Sequence, residues 1–204
     1  MTTTAPLGLM PDWRIRQLAK DGMISPFEPG KIRKIGEEVF GAAVPAISYG
    51  TSSYGYDFTL SANDFRVFRH VPGLIVNPKD FDQRCLVTAE LQCDLYGKYF
   101  ILPRHSYSLG FLNEKQKLPP NVTALYIGKS TYARCGIIVN TTPGEAGWEG
   151  YLTVEISNSS GADVRIYADE GICQGLFFEG APCGKPYGDG KYQSQAAGVT
   201  VARG

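Results

Sequence analysis

Residues 128–158 read Gly-Lys-Ser-Thr-Tyr-Ala-Arg-Cys-Gly-Ile-Ile-Val-Asn-Thr-Thr-Pro-Gly-Glu-Ala-Gly-Trp-Glu-Gly-Tyr-Leu-Thr-Val-Glu-Ile-Ser-Asn. The first part places a glycine, a cation, hydroxyls and an arginine within seven residues. Glycine lets a ligand approach the backbone, and Lys129 with Arg134 can grip phosphate oxygens. A short apolar run, a loop containing Pro143 and Gly144, and a second run follow, which reads as strand, hairpin loop, strand. In the second strand, period-two alternation puts Leu152, Val154 and Ile156 on one face and Tyr151, Thr153, Glu155 and Ser157 on the other. On the residues alone, solvent is the ordinary destination for a lone glutamate on such a polar face.

Outward from this segment the same β-rich rhythm continues. Short apolar or aromatic runs at 65–68, 74–76, 99–102, 106–111, 122–127, 136–140, 150–156, 164–167 and 173–178 are broken by Gly, Pro or Asn. Strands at this spacing favour a barrel or sandwich. The stretch 48–57, Ser-Tyr-Gly-Thr-Ser-Ser-Tyr-Gly-Tyr-Asp, alternates small and aromatic residues and suits a strand closely approached by another backbone. A turn-rich stretch, 25–41, precedes it. Ahead of that, Asp12 reads as an N-cap, Trp13, Ile15, Leu18 and Ala19 as a helical apolar face, and Gly22 as the stop. Arg14, Arg16 and Lys20 then form a solvated basic face. The expectation is an all-β domain with one short N-terminal helix: residues 1–10 a loose leader, 11–183 one domain, and 184–204 a polar, Gly-rich tail able to act as a lid.

Bulk composition narrows the function. The 204 residues balance 20 basic against 20 acidic side chains, so neither a duplex nucleic acid nor a membrane surface is expected as the main partner. No apolar run approaches membrane-spanning length, and no secretory signal is read at the start. Five cysteines without paired spacing (Cys85, Cys93, Cys135, Cys173 and Cys183) point to reduced thiols in a cytoplasm, with Cys135 and Cys173 expected to be buried.

Several chemistries lack their residues. A zinc-dependent base deaminase uses His-x-Glu and Pro-Cys-x-x-Cys. Neither His70 nor His105 has the glutamate, and Pro182-Cys183 is followed by Lys185-Pro186 where the second cysteine would be needed. No zinc and no protein-held metal site are expected. Gly128-Lys129-Ser130-Thr131 shares only its end with a phosphate loop, and a strand precedes it.

The segment 128–140 resembles the dCTP deaminase branch of the trimeric dUTPase superfamily. So do Trp148-Glu149-Gly150-Tyr151, Thr153-Val154-Glu155, the 48–57 run, Phe177-Phe178-Glu179 and Gly190-Lys191-Tyr192-Gln193, all in the family's order. The resemblance spans residues 11–200 and implies a distorted β-barrel or jelly-roll-like fold, assembled as a homotrimer with sites between subunits. It implies hydrolytic deamination of dCTP to dUTP and ammonia, feeding dUMP and dTTP synthesis, with Glu155 as proton carrier and Ser130 and Arg134 beside it. By the same implication Lys129, Thr131, Tyr132 and Ala133 belong to the nucleotide-binding run, and Thr153 and Val154 flank the glutamate. Gln174, Tyr187, Lys191 and Gln195 supply later contacts. Mg²⁺ would arrive on the triphosphate. The sequence departs from the pattern in Lys129, where many relatives carry Arg, and in Ala196-Ala197-Gly198 after the lid motif.

Two rival readings stand beside this one. A dUTPase, or a bifunctional deaminase and diphosphatase, would need a second carboxylate, and Glu145 lies in the loop where dUTPases carry an aspartate. A non-catalytic nucleotide-sensing protein would have no need to retain Glu155. A C5-modified cytosine substrate is a variant of the first reading.

Overall fold

The computed structural model describes residues 7–36, 41 and 43–204. Sixteen strands, β1 to β16, and two α-helices are defined among them. The largest sheet runs β13 (Thr142–Gly144), β11 (Val122–Gly128), β16 (Gly171–Glu179), β5 (Gly55–Thr59), β4 (Val44–Ser52), β3 (Lys31–Ile35), with β1 (Gly8–Leu9) added to β16. The second runs β12 (Ile137–Val139), β14 (Glu149–Asn158), β10 (Tyr107–Lys117), β6 (Arg66–Phe68), β7 (Leu86–Thr88), with β2 (Ile24–Ser25) on β10. A small third sheet orders β15 (Val164–Tyr167), β9 (Gly97–Leu102) and β8 (Gln92–Asp94). All pairings in these sheets are antiparallel, and among the described residues the strand order does not close into a ring.

The sheets enclose one core. Phe58 meets Tyr56, Tyr126 and Phe177 edge-on, and Phe65 stacks on Phe100 with ring centroids 4.7 Å apart. Burial of such rings contributes a few kcal/mol each, the amount lost when a core Phe is cut to Ala, ~3–5 kcal/mol.

Most expected strands are present, several longer than their apolar runs. β10 continues to Lys117 because its outer half pairs with both β14 and β2. The 74–76 run is not a strand. It follows the Pro72-Gly73 turn and precedes Pro78, and Ile75 remains 89% exposed for want of a pairing partner.

Helix α1 spans Asp12–Lys20, but its N-cap is Pro11, in extended conformation, and Asp12 is the first helical residue. Proline's fixed φ and missing N–H suit a helix start. Ile15 and Ala19 are buried, whereas Trp13 is 47% exposed. Arg14 does not stay in a solvated face. Its guanidinium forks onto Glu179 at 2.5 and 2.8 Å and is largely buried there.

The leader is tied down before Met10. Gly8 and Leu9 pair with Glu179 and Phe178, and the Met10 side chain is fully buried. Residues 1–6 of the expected leader lie outside the described residues. Cys173 is buried as expected, but Cys135 is exposed, because it follows a one-turn helix at the surface. No helix among the described residues is long and apolar enough to cross a membrane.

Candidate active site

Glu155 is placed by the β10–β14 ladder, where it sits opposite Leu109. A bulge between Phe111 and Lys115 sets residues 112–114 of β10 against Leu152 alone. The bulge breaks strict alternation on β10, and Leu152, Thr153 and Glu155 of β14 all line one cavity. It also turns Glu114 inward, where its carboxylate accepts from the Thr59 N–H and hydroxyl, and burial pushes its pKa up to about 7.

The cavity has a volume of about 430 Å³. Phe68, Phe81, Tyr107 and Leu109 form its apolar wall, and Thr142 to Glu145 with Trp148 form another. The expected hairpin loop is therefore more than a turn. β12 pairs with β14, but β13 crosses to pair with β11 in the other sheet, which carries the loop across the cavity mouth. Glu145 and Glu155 are the charged side chains of the lining, and no Lys or Arg contributes to it among the described residues. Glu155 is largely withdrawn from water, and this desolvation raises its carboxyl above the ordinary range.

The tail closes the remaining side. Tyr187, Tyr192, Gln195 and residues 200–202 line the cavity. Gln195 lies in a parallel bridge with Gly150, and its carbonyl accepts from the Tyr151 N–H at 3.0 Å. Trp148 donates its indole N–H to the Tyr192 carbonyl at 2.7 Å, and the Thr200 N–H donates to the Thr153 hydroxyl at 2.9 Å. Val199 and Val201, like Phe68 and Phe81, pack against the buried cluster of Cys85, Leu86 and Leu109. Gly150 makes the crossing possible: φ is +149°, and an added Cβ would stand 2.7 Å from the Gln195 nitrogen. Gln195 itself is 9% exposed and its Oε1 has no hydrogen-bond partner, an acceptor held ready at the cavity edge.

The other expected site residues do not converge here. Residues 130–133 form a second helix, α2 (Ser130–Ala133), with Ser130, Thr131, Ala133 and Arg134 at the surface. Arg134 donates to the Ser130 carbonyl at 3.1 Å, and no ion pair joins it to Glu155 among the described residues. The Tyr132 side chain is buried, its hydroxyl accepting from the Tyr167 N–H, and Val154 is 2% exposed in the core. Both residues have only backbone left to offer a ligand from those positions. Gln174 donates to the Ser52 hydroxyl at 2.8 Å, and Lys191 to the Arg203 carbonyl at 2.6 Å.

Lys129 lies in a separate buried cluster. Its ammonium donates to Asp57 Oδ2 at 2.6 Å, and Lys31 donates to the same oxygen. Asp57 is 2% exposed. Burial lowers both lysines to about 8, with the Lys129 charge adding to the shift at Lys31. Asp57 counters that loss by holding both cations.

Within one chain the cavity thus unites Thr153, Glu155, Tyr187 and Gln195 of the expected residues. Sequence reading missed Phe68, Phe81, Tyr107 and Leu109, which come from strands and loops far from 128–158 and carry no local signal beyond strand alternation. Trp148 stood in a quoted motif, and its aromatic character was the available clue. Among the described residues no three His, Cys, Asp or Glu side chains gather as a metal-holding group.

Comparison with known proteins identifies the family. The family described as dCTP deaminase-like matches residues 9–180. A protein of Laribacter hongkongensis named dCTP deaminase is 46% identical over 195 residues, covering 94% of this chain and 96% of the relative. One of Paracidovorax citrulli, also named dCTP deaminase, is 47% identical over 194 residues with the same coverage. The crystal structure of 2'-deoxycytidine 5'-triphosphate deaminase from Agrobacterium tumefaciens shares the fold, with a TM-score of 0.52 at 17% identity over 85% of this chain. The chain spans about half, 48%, of that larger structure. The chain belongs to the dCTP deaminase-like family.

Proposed function

We propose that this protein deaminates dCTP to dUTP and ammonia, with Glu155 moving the protons. The observation that carries the reading is the Glu155 carboxyl, raised by burial, in the wall of a cavity beside Thr153 and Gln195. In this reading Glu155 is the group that accepts and releases protons, a role that suits a carboxyl raised by burial in a cavity wall. It takes a proton from the attacking water and passes it to N3 of the pyrimidine. As the C4–N bond breaks, a second proton transfer releases ammonia, and the C4–O bond remains. General acid–base catalysis of this kind is worth about 10² to 10⁴ in rate.

A triphosphate needs cations, and among the described residues the cavity of one chain has none in its lining. The segment 129–134 carries cationic and hydroxyl groups, with Ser130, Thr131 and Arg134 at the surface. A homotrimer in which that segment of a second copy meets the Glu155 cavity supplies both halves. Ser130 would then help hold the water and Arg134 orient the carboxylate. Mg²⁺ enters on the triphosphate as part of the substrate. Five thiols without a disulfide fit a cytoplasmic enzyme.

One observation favours a bifunctional variant, since Glu145 lines the same cavity and could activate water against a phosphate. Incubation of the pure protein with Mg²⁺ and dCTP, dUTP, CTP or 5-methyl-dCTP, with ammonia and pyrophosphate measured together, tests these readings. Ammonia from dCTP without pyrophosphate is the expected result. Pyrophosphate in proportion to ammonia would establish the bifunctional variant, and neither product from any nucleotide would overturn both.

A further inference from the structure

Tyr107 opens β10 two residues before Leu109, the residue opposite Glu155. By strand alternation Tyr107 and Leu109 share a face, and both line the cavity with Glu155. A diagonal cross-strand neighbour lies within reach of an aromatic side chain. Asn140 joins the two residues. Its backbone N–H donates to the Glu155 carbonyl at 2.9 Å, and its side-chain amide donates to the Tyr107 hydroxyl at 2.7 Å. An amide NH₂ has no lone pair to offer, so the phenol oxygen must accept this bond. The phenol's own proton is then left over, and no acceptor takes it among the described residues. The ring cannot swing freely, because it packs edge-on against Phe68 at 5.4 Å.

We propose that Tyr107 is a positioning residue for Glu155, its hydroxyl oriented by Asn140 so that the phenol proton is donated into the cavity toward the carboxylate. This rests on the reading of Glu155 as the proton carrier. A donor aimed at the ionised carboxylate favours that form and offsets part of the desolvation that raises it. The phenol fits a donor role, since burial and the nearby Glu155 charge hold its own pKa above the ordinary value. The remaining titratable groups of the cavity are Glu145 from the connection between β13 and β14, and Tyr187 and Tyr192 from the tail. The buried Cys173 thiol of β16 senses the Glu155 charge from within the core. Arg69, His70 and His105 line a groove that Tyr107 also walls. Of the cavity's phenols, only that of Tyr107 is bonded to a residue that also bonds Glu155.

Tyr107→Phe keeps the ring and removes only the hydroxyl, so folding is preserved and can be checked by thermal melting. With the donor gone, the Glu155 pKa rises. The acid limb of the kcat/KM profile for dCTP deamination should move up by about one pH unit. At pH 6 kcat should fall about tenfold, the worth of one charged hydrogen bond, with KM held within about twofold. Asn140→Ala, which frees the phenol to turn, should shift the limb in the same direction by less. Superimposable profiles for wild type and Tyr107→Phe would overturn the inference, because a residue serving only to pack would give that result. Glu155→Gln, assayed alongside, separates the two claims. If that variant still deaminates dCTP, the reading of Glu155 fails. If it is inactive while Tyr107→Phe matches wild type, only the role of Tyr107 is lost.

Discussion

The Glu155 cavity and the Lys129 cluster were expected to be two sides of one site, yet in a single chain they are built on opposite principles. The cavity is roomy, acidic and closed by the tail, and among the described residues the Glu155 carboxylate has no cation beside it. The cluster is tightly packed, with two lysines sharing the Asp57 carboxylate and little exposed surface. Desolvation without a counter-ion favours the protonated form of a carboxyl, whereas neighbouring ammonium groups favour its ionised form. The difference also marks what the described residues of one chain lack, a cation facing the cavity.

The strongest way to break this comparison is to remove each half separately. Glu155→Gln should lower ammonia release from dCTP roughly a thousandfold while nucleotide binding, read by calorimetry, persists. Arg134→Ala should also be poorly active. Denatured together and refolded as mixed assemblies, the two variants should regain activity that neither has alone, because some sites then combine an intact Glu155 with an intact Arg134. Absence of any regain would place both halves in one chain.

A smaller effect is expected from the cluster. Asp57→Asn leaves two buried ammonium groups without their counter-ion and should cost about 3 kcal/mol in denaturant unfolding. Unchanged stability would mean that the pair of contacts to Asp57 contributes nothing net. Smallest of the three is the effect of Gly150→Val. A side chain there collides with the Gln195 backbone in a conformation that suits glycine. The tail should detach, raising KM for dCTP about tenfold, on the scale of one or two lost hydrogen bonds. Because Trp148 gives its indole N–H to the tail, its fluorescence should shift to longer wavelength as water replaces that contact. An unshifted spectrum would argue that the tail does not need the glycine.

Much of this was legible in the chain before any coordinates. Alternation located β9, β11, β14, β15 and β16 to within a few residues, and it put Glu155 on a face apart from Val154 and Ile156. Helix α1 is legible too, but one residue out at its start: Asp12 resembles a cap, whereas Pro11, whose fixed φ suits a helix start, takes that place. The 74–76 run failed because an apolar triplet between Pro72 and Pro78 resembles a strand locally but finds no partner. The bulge at residues 112–114 was invisible, because a bulge is a property of two strands and not of either sequence.

By itself the sequence determined most of the long strands, helix α1 and the family. These depend on local periodicity and on motifs whose residues lie close together along the chain. Only the tertiary structure decided that Phe68, Phe81, Tyr107 and the tail would wall Glu155 from water, and that Lys129 would be held by Asp57, 72 positions away. Both outcomes depend on which strands pair and in what register. That choice is set by the whole core at once, and no window of sequence contains it.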